Sequence, residues 1–241
     1  MHFVGIDLAW SYRNPSAVVI LEGEKAVAWN ERVGSDEEII AFLREVLGEK
    51  PALVAVDAPL VVPNERGFRP CDREVAAAFR RYEAAPHPAN RLRFGGKVRG
   101  EELTRKLEEE GFIHSPIIEP LRETRQVVEV YPHPAAITLF GLEKTLKYKA
   151  RPGRSLDFRK AEFKRYLALL KGLEKASPAL HAPAILGRDL SSLNDRKFKA
   201  FEDLVDALFC AYIALYCWTW GPQKYRVFGN REEGYIIVPI P

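Results

Sequence analysis

Five acidic residues stand where a carboxylate is costly. Asp7 closes the apolar run His2-Phe3-Val4-Gly5-Ile6, and Asp57 closes Leu53-Val54-Ala55-Val56. Glu129 lies within Val127-Val128-Glu129-Val130-Tyr131, and Asp203 and Asp206 sit three apart in a strongly apolar C-terminal stretch. Three-residue spacing puts the last two on one helix face. A lone charge in apolar surroundings is expensive, and neighbouring carboxylates repel unless a cation lies between them. Gathered together, these acids would coordinate a hard divalent ion, Mg²⁺ or Mn²⁺. Glu129 is read two ways, as a further catalytic acid or as the partner of an arginine such as Arg73 or Arg125. Plainer readings exist for the strand-end acids too, since each precedes a turn. Two strand-end acids together with two on one helix face favour a shared site. His133 follows the third acidic run, but no pair of histidines has metal-ligand spacing.

The elements that must position these acids follow from hydrophobic pattern and punctuation. Residues 2–8, 17–21 and 26–33 read as three strands with short connections, an antiparallel meander. Ser35 with Glu38 is a capping box opening a helix that Gly48 closes. A helix between strands predicts a crossover, so strand 52–56 should run parallel to an earlier one. Residues 60–125 are too long for a simple connection and are expected to be a helical insertion within one domain, residues 1–241. A fifth strand spans 127–131. Ser155 caps a helix to about Leu170, and a long final helix runs from Lys199 to about Thr219. Residues 235–238 read as a short closing strand. The expectation is a mixed five-stranded α/β sheet, with Asp7 and Asp57 adjacent at its carboxyl edge.

Composition narrows the partners. The chain of 241 residues carries a net charge of +3, unevenly spread. Acids outnumber bases 10 to 5 over residues 1–60, whereas bases outnumber acids 23 to 15 over residues 61–171. A basic middle beside an acidic cluster suits an anionic substrate approaching bound metal. Arg91, Arg93, Lys97, Arg99, Lys160 and Lys164 are the candidate contacts to nucleic-acid phosphates, DNA or RNA. Tyr82, Phe94 and Tyr148 are candidates for base stacking. Three scattered cysteines, Cys71, Cys210 and Cys217, make no disulfide framework or thiolate zinc site, which suits a reducing cytoplasm. No apolar run is long enough to span a membrane, and no signal peptide is visible.

The motifs Gly5-Ile6-Asp7-Leu8-Ala9, Val56-Asp57-Ala58-Pro59-Leu60, Val128-Glu129-Val130-Tyr131-Pro132, Asp203-Leu204-Val205-Asp206-Ala207-Leu208 and Gly234-Tyr235-Ile236-Ile237-Val238-Pro239 come in an ordered set. That set resembles the DUF429 family over nearly the whole chain. The family is grouped with predicted nucleases of ribonuclease H-like fold, so the resemblance implies that fold and a metal-dependent nuclease. The Asp-x-x-Asp-Ala-Leu pattern is similar to RuvC-type resolvases, where both acids bind metal. By that likeness Asp7, Asp57, Asp203 and Asp206 are the metal ligands, Asp7 bridging two Mg²⁺ or Mn²⁺ ions, and the reaction implied is phosphodiester hydrolysis by a two-metal-ion mechanism. Ribonuclease H itself carries an acid on the helix after its fourth strand, for which Glu74 or Glu129 would substitute. Two rivals remain. One is a nucleic-acid-binding module without turnover. The other is a phosphotransferase of actin/sugar-kinase type, which would need a glycine-rich turn after Asp7, where Leu8-Ala9-Trp10 stands instead.

Overall fold

The computed structural model describes residues 1–241. Three strands open the chain as an antiparallel meander: β1 (His2–Asp7), β2 (Ser16–Glu22) and β3 (Lys25–Val33). Helix α1 (Asp36–Leu47) follows. Ser35 Oγ accepts from the Glu38 amide at 3.2 Å, and the Glu38 carboxylate accepts from the Gly34 amide at 2.8 Å. Such a cap contributes about 1 kcal/mol. Strand β4 (Ala52–Asp57) then pairs parallel with β1, as a crossover helix requires.

Residues 60–125 hold helix α2 (Pro70–Phe79), helix α3 (Arg99–Glu109) and a two-residue strand, β5 (Ile113–His114). Strand β6 (Arg125–Glu129), helix α4 (Pro132–Phe140), helix α5 (Leu156–Gly172) and the short helix α6 (Pro183–Leu186) precede α7 (Asp195–Trp220). The chain closes with strands β7 (Tyr225–Asn230) and β8 (Gly234–Pro239).

The main sheet has six strands in the order β3-β2-β1-β4-β6-β5, not the five expected. The extra one, β5, pairs with Gln126 and Val127 of β6 and is too short to leave a periodic signal. The closing strand β8 is real, but it joins β7 in a separate two-stranded sheet. That hairpin meets the main sheet through the bridge between Val130 and Ile237. No helix is long and apolar enough to cross a membrane, and all three cysteines are free and buried.

Strand alternation sorts the core into two layers. Phe3 on β1 and Leu53 and Ala55 on β4 pack under α7 in the larger apolar cluster. Val4, Ile6, Val54 and Val56 face the other way, toward α1 and α3. Phe3, Val4 and Ile6 have no exposed surface, and burying such a side chain contributes about 1.5–3 kcal/mol. Gly5 lets α7 approach. A Cβ there would stand 1.8 Å from the Ala207 carbonyl oxygen and 2.3 Å from the Ala211 amide nitrogen, so only glycine fits.

Candidate functional site

The face that Phe3 and Gly5 share continues to Asp7, and the face of Leu53 and Ala55 continues to Asp57. Asp7 and Asp57 are register partners across the parallel β1–β4 pair, so strand spacing holds them about 4.8 Å apart at the backbone. Both end their strands and both turn toward α7. One helical turn before the Ala207–Gly5 contact lies Asp203, which lines a cavity together with Asp7. Asp206 is buried on the same helix. The structure therefore brings Asp7, Asp57, Asp203 and Asp206 to one place.

Glu129 does not join them. It is register partner to Val56, whose side chain belongs to the α1 and α3 layer, so alternation turns it to the opposite face. Arg69 takes both of its oxygens, with Nη2 to Oε1 at 2.6 Å and Nη1 to Oε2 at 2.9 Å. The Leu60 amide adds a third donor at 2.8 Å. Of the two readings, the arginine partner is the one the geometry supplies, and the arginine is Arg69 rather than Arg73 or Arg125. Arg69 also meets Asp72 at 2.9 Å, and all three side chains are buried. Glu74, the other substitute acid, accepts from the Gly229 amide at 3.2 Å on the hairpin side.

Lys149 is the unforeseen member of the site. It lies on the connection between α4 and α5. Its ammonium contacts Asp206 Oδ2, stands 3.2 Å from Glu202 Oε1 and is 3.9 Å from Asp203 Oδ1. The neighbouring Tyr148 hydroxyl donates to Asp206 Oδ1 at 2.7 Å. Glu202 is fully buried, flanked by Lys149 and by Arg159 Nη2 at 3.5 Å. Lys199 pairs with Asp203. By contrast, the buried Oδ2 of Asp7 has no hydrogen-bond partner.

The electrostatics follow from this arrangement. Burial raises Asp7 well above the usual carboxylate range. Lys149 opposes that shift, and Asp203, Asp57 and Asp206 add to it. Burial likewise pushes Asp57 up to about 7, reinforced by Asp206 and opposed by Lys149. For Lys149, burial works against the ammonium, but Asp206, Glu202, Asp7 and Asp203 outweigh it and hold the group well above its ordinary value. Burial lowers His133 to about 4, leaving the imidazole neutral at physiological pH.

Two cavities meet at Asp7, Ala9 and Trp10. One of about 410 Å³ is floored by Asp7 and Asp57 and bordered by Lys149, Arg151, Arg154, His87 and His133. The other, about 480 Å³, is bordered by Arg13, Arg32, Arg196, Lys199 and Asp203. Trp10 stands between them at 37% exposure, with Phe94 edge-on at 5.1 Å and Arg93 over its ring at 5.3 Å.

This basic rim differs from the one expected. Arg99 is buried, bonded to Asp36 at 2.8 Å and to the Ala9 carbonyl at 3.0 Å, and cannot reach a phosphate. Arg91 is paired with Glu101 at 2.9 Å. Lys160 bonds the Ser191 carbonyl at 3.2 Å; neither it nor Lys164, both on α5, lines these cavities. Lys97 is exposed on the insertion, and of the expected set only Arg93 reaches the cavity mouth, through Trp10. Of the expected stacking residues, Phe94 reaches Trp10, while Tyr148 packs against Tyr166 in the core. Tyr82 packs beside Phe79.

Residues 5–233 match the family described as "Protein of unknown function (DUF429)". The chain belongs to the DUF429 family. No curated protein and no solved structure matches it. Within this DUF429 chain the donor set is all carboxylate oxygen, the chemistry Mg²⁺ and Mn²⁺ prefer. Asp7 keeps a buried oxygen without a hydrogen-bond partner beside its register partner Asp57, which fits such an ion. No three His, Cys, Asp or Glu side chains close into a ready-made cage, and Lys149 contacts Asp206. Mg²⁺ does not need a cage, since it commonly keeps waters and binds through one or two carboxylates plus substrate phosphate.

Proposed function

We propose that this protein is a metal-dependent phosphodiester hydrolase acting on DNA or RNA. The observation that carries the reading is the Asp7–Asp57 register pair, with one buried Asp7 oxygen unpartnered, on the floor of a cavity edged by arginines. The strand order β3-β2-β1-β4-β6, antiparallel then parallel, agrees with a ribonuclease H-like arrangement and supports the same reading.

Asp7 and Asp57 would hold Mg²⁺ or Mn²⁺, with Asp203 and Asp206 adding negative charge beside them. When bound, the ion supplies a water acidic enough to attack at neutral pH and charge to stabilise the leaving oxygen. The protein's own groups do the rest. Arg151 and Arg154 on one side, and Arg13, Arg32 and Arg196 on the other, bind backbone phosphates and orient the strand across Asp7. Trp10 offers a flat face to a base beside the scissile phosphate. In the reaction the water oxygen bonds to phosphorus, the ester P–O bond breaks, and the departing oxygen leaves with a proton.

The test is to incubate end-labelled single-stranded, duplex and branched DNA and RNA with the protein in Mg²⁺ or Mn²⁺. Cleavage that disappears in Asp7→Asn supports the reading. No cleavage of any substrate in either metal sinks it, and salt-sensitive binding without turnover would favour a binding module instead.

A further inference from the structure

The carboxylates of the site are not equally satisfied. On the helix side, Asp206 is saturated by one short stretch of chain, with Tyr148 donating to one oxygen and Lys149 contacting the other. The same ammonium lies 3.2 Å from Glu202, a fully buried acid with no hydrogen-bond donor on either oxygen, and 3.9 Å from Asp203. On the strand side, Asp7 keeps an unpartnered buried oxygen opposite Asp57. The helix half of the cluster is thus in direct contact with donors from within the protein, whereas the strand half feels Lys149 only through space and accepts no hydrogen bond.

We propose that Lys149 is the site's second cation. The protein takes a single divalent ion at Asp7 and Asp57, and the Lys149 ammonium fills the position a second ion would hold against Asp206. This inference rests on the metal-dependent reading above and deepens it. A lysine suits the task because it is a compact point charge with three donors on a flexible stem. Its place is fixed from both sides, by Tyr148 holding Asp206 and by Arg159, which donates to the Tyr148 carbonyl at 3.0 Å while flanking Glu202. A second Mg²⁺ at Asp206 would have to displace this ammonium within a cavity whose wall already carries Arg151 and Arg154 beside Glu83. Two carboxylates, water and substrate phosphate then complete the coordination of the one ion.

The experiment counts Mn²⁺ per chain by equilibrium dialysis at millimolar metal, with electron paramagnetic resonance of the bound ion as a second readout. The native protein is expected to bind one Mn²⁺ and give the six-line spectrum of an isolated ion. Lys149→Met is expected to bind two and show the broadened spectrum of a coupled pair. Lys149→Arg, which keeps the charge, is expected to remain at one. Two ions in the native protein would overturn the inference and leave the metal-dependent reading intact, and so would a Lys149→Met count of one in a folded variant. No ion in the native protein would overturn both. Should Lys149→Met fail to fold by circular dichroism, the native count and the Lys149→Arg count decide.

Discussion

Asp7 and Asp57 face each other across two parallel strands, with side chains on the same side of the sheet. Without a cation this pairing is a source of instability held in place by the rest of the fold. Burial resists ionisation of both acids, with Asp57 pushed up to about 7 and Asp7 raised well above its ordinary range, so the repulsion is felt above pH 7, and there Asp7→Asn removes one of the two ionisable groups. It is expected to raise the melting temperature of the metal-free protein by about 2–4 °C for each kcal/mol of relieved repulsion, while abolishing the stabilisation given by Mn²⁺. Calorimetric scans with and without Mn²⁺ check this; a lower metal-free melting temperature in the variant would contradict it.

The same pair makes stability depend on pH. Burial raises Asp57 in the folded state to about 7, against 3.8 for the free side chain. Between these values the folded protein retains a proton that the unfolded chain has released. Stability of the metal-free protein should therefore fall as pH rises from about 4 to about 7, by at most about 1.4 kcal/mol per pH unit for one proton. Urea titrations across that window should show the decline, and Asp57→Asn should make it shallower, leaving the share that comes from Asp7, which burial also raises. Saturating Mg²⁺, which favours the ionised form, should oppose the trend.

Gly5 tests the positioning of α7. Adding one methyl group drives it into the backbone of Ala207 and Ala211, which no side-chain rotation relieves. Gly5→Ala is expected to cost about 3 kcal/mol, the upper part of the range for overpacking. It also pushes Asp203 and Asp206 away from Asp7, so Mn²⁺ affinity should drop even where the variant stays folded. A variant with native stability and native Mn²⁺ affinity would show that the helix does not set the site.

Arg69 and Glu129 form a buried pair, and breaking it is asymmetric. Arg69→Ala leaves Glu129 and Asp72 as uncompensated buried charges and is expected to cost about 3–5 kcal/mol. Glu129→Gln leaves Arg69 bonded to Asp72 and should cost less. Glu129 is bonded to Arg69 and to neither strand-end acid, although it lines a small cavity with Asp57 and its charge helps raise that carboxyl, so folded Glu129→Gln should keep the native Mn²⁺ stoichiometry. Chemical denaturation and metal titration separate the two effects.

Trp10 is expected to stack on an unpaired base. Trp10→Ala should weaken binding of a short single-stranded oligonucleotide by about tenfold, within the range measured for one stacked base, with little change for duplex. Fluorescence anisotropy at fixed salt gives the comparison. An equal loss for duplex and single strand would argue against a stacking role.

Much of this arrangement could be read from the residues alone. Two strands ending in aspartate and a helix with Asp203 and Asp206 are strong patterns, because the apolar runs around them are long. Lys149 was hidden because Lys144, Lys147 and Lys149 look like an ordinary solvated connection. The alternation of apolar Leu146 and Tyr148 even puts Lys149 on the outward side with Lys147, so local pattern pointed away from the site. Arg99 was misread for the opposite reason. It belongs with Leu103 and Leu107, four and eight residues on, along the buried face of α3, and that spacing marks an inward-facing arginine. Glu129 was placed in the right strand, but which layer it faces depends on its register with β4, which no local pattern encodes.

Helix α7 has a double duty. Its apolar residues roof the centre of the main sheet, and its first half carries Glu202, Asp203 and Asp206. Fraying at Asp195 or at Trp220 does not reach those acids, and nothing short of lifting the roof disperses them. Heated slowly, such a molecule should lose its grip on the metal and its cooperative structure at one and the same temperature, with no folded but empty-handed species in between.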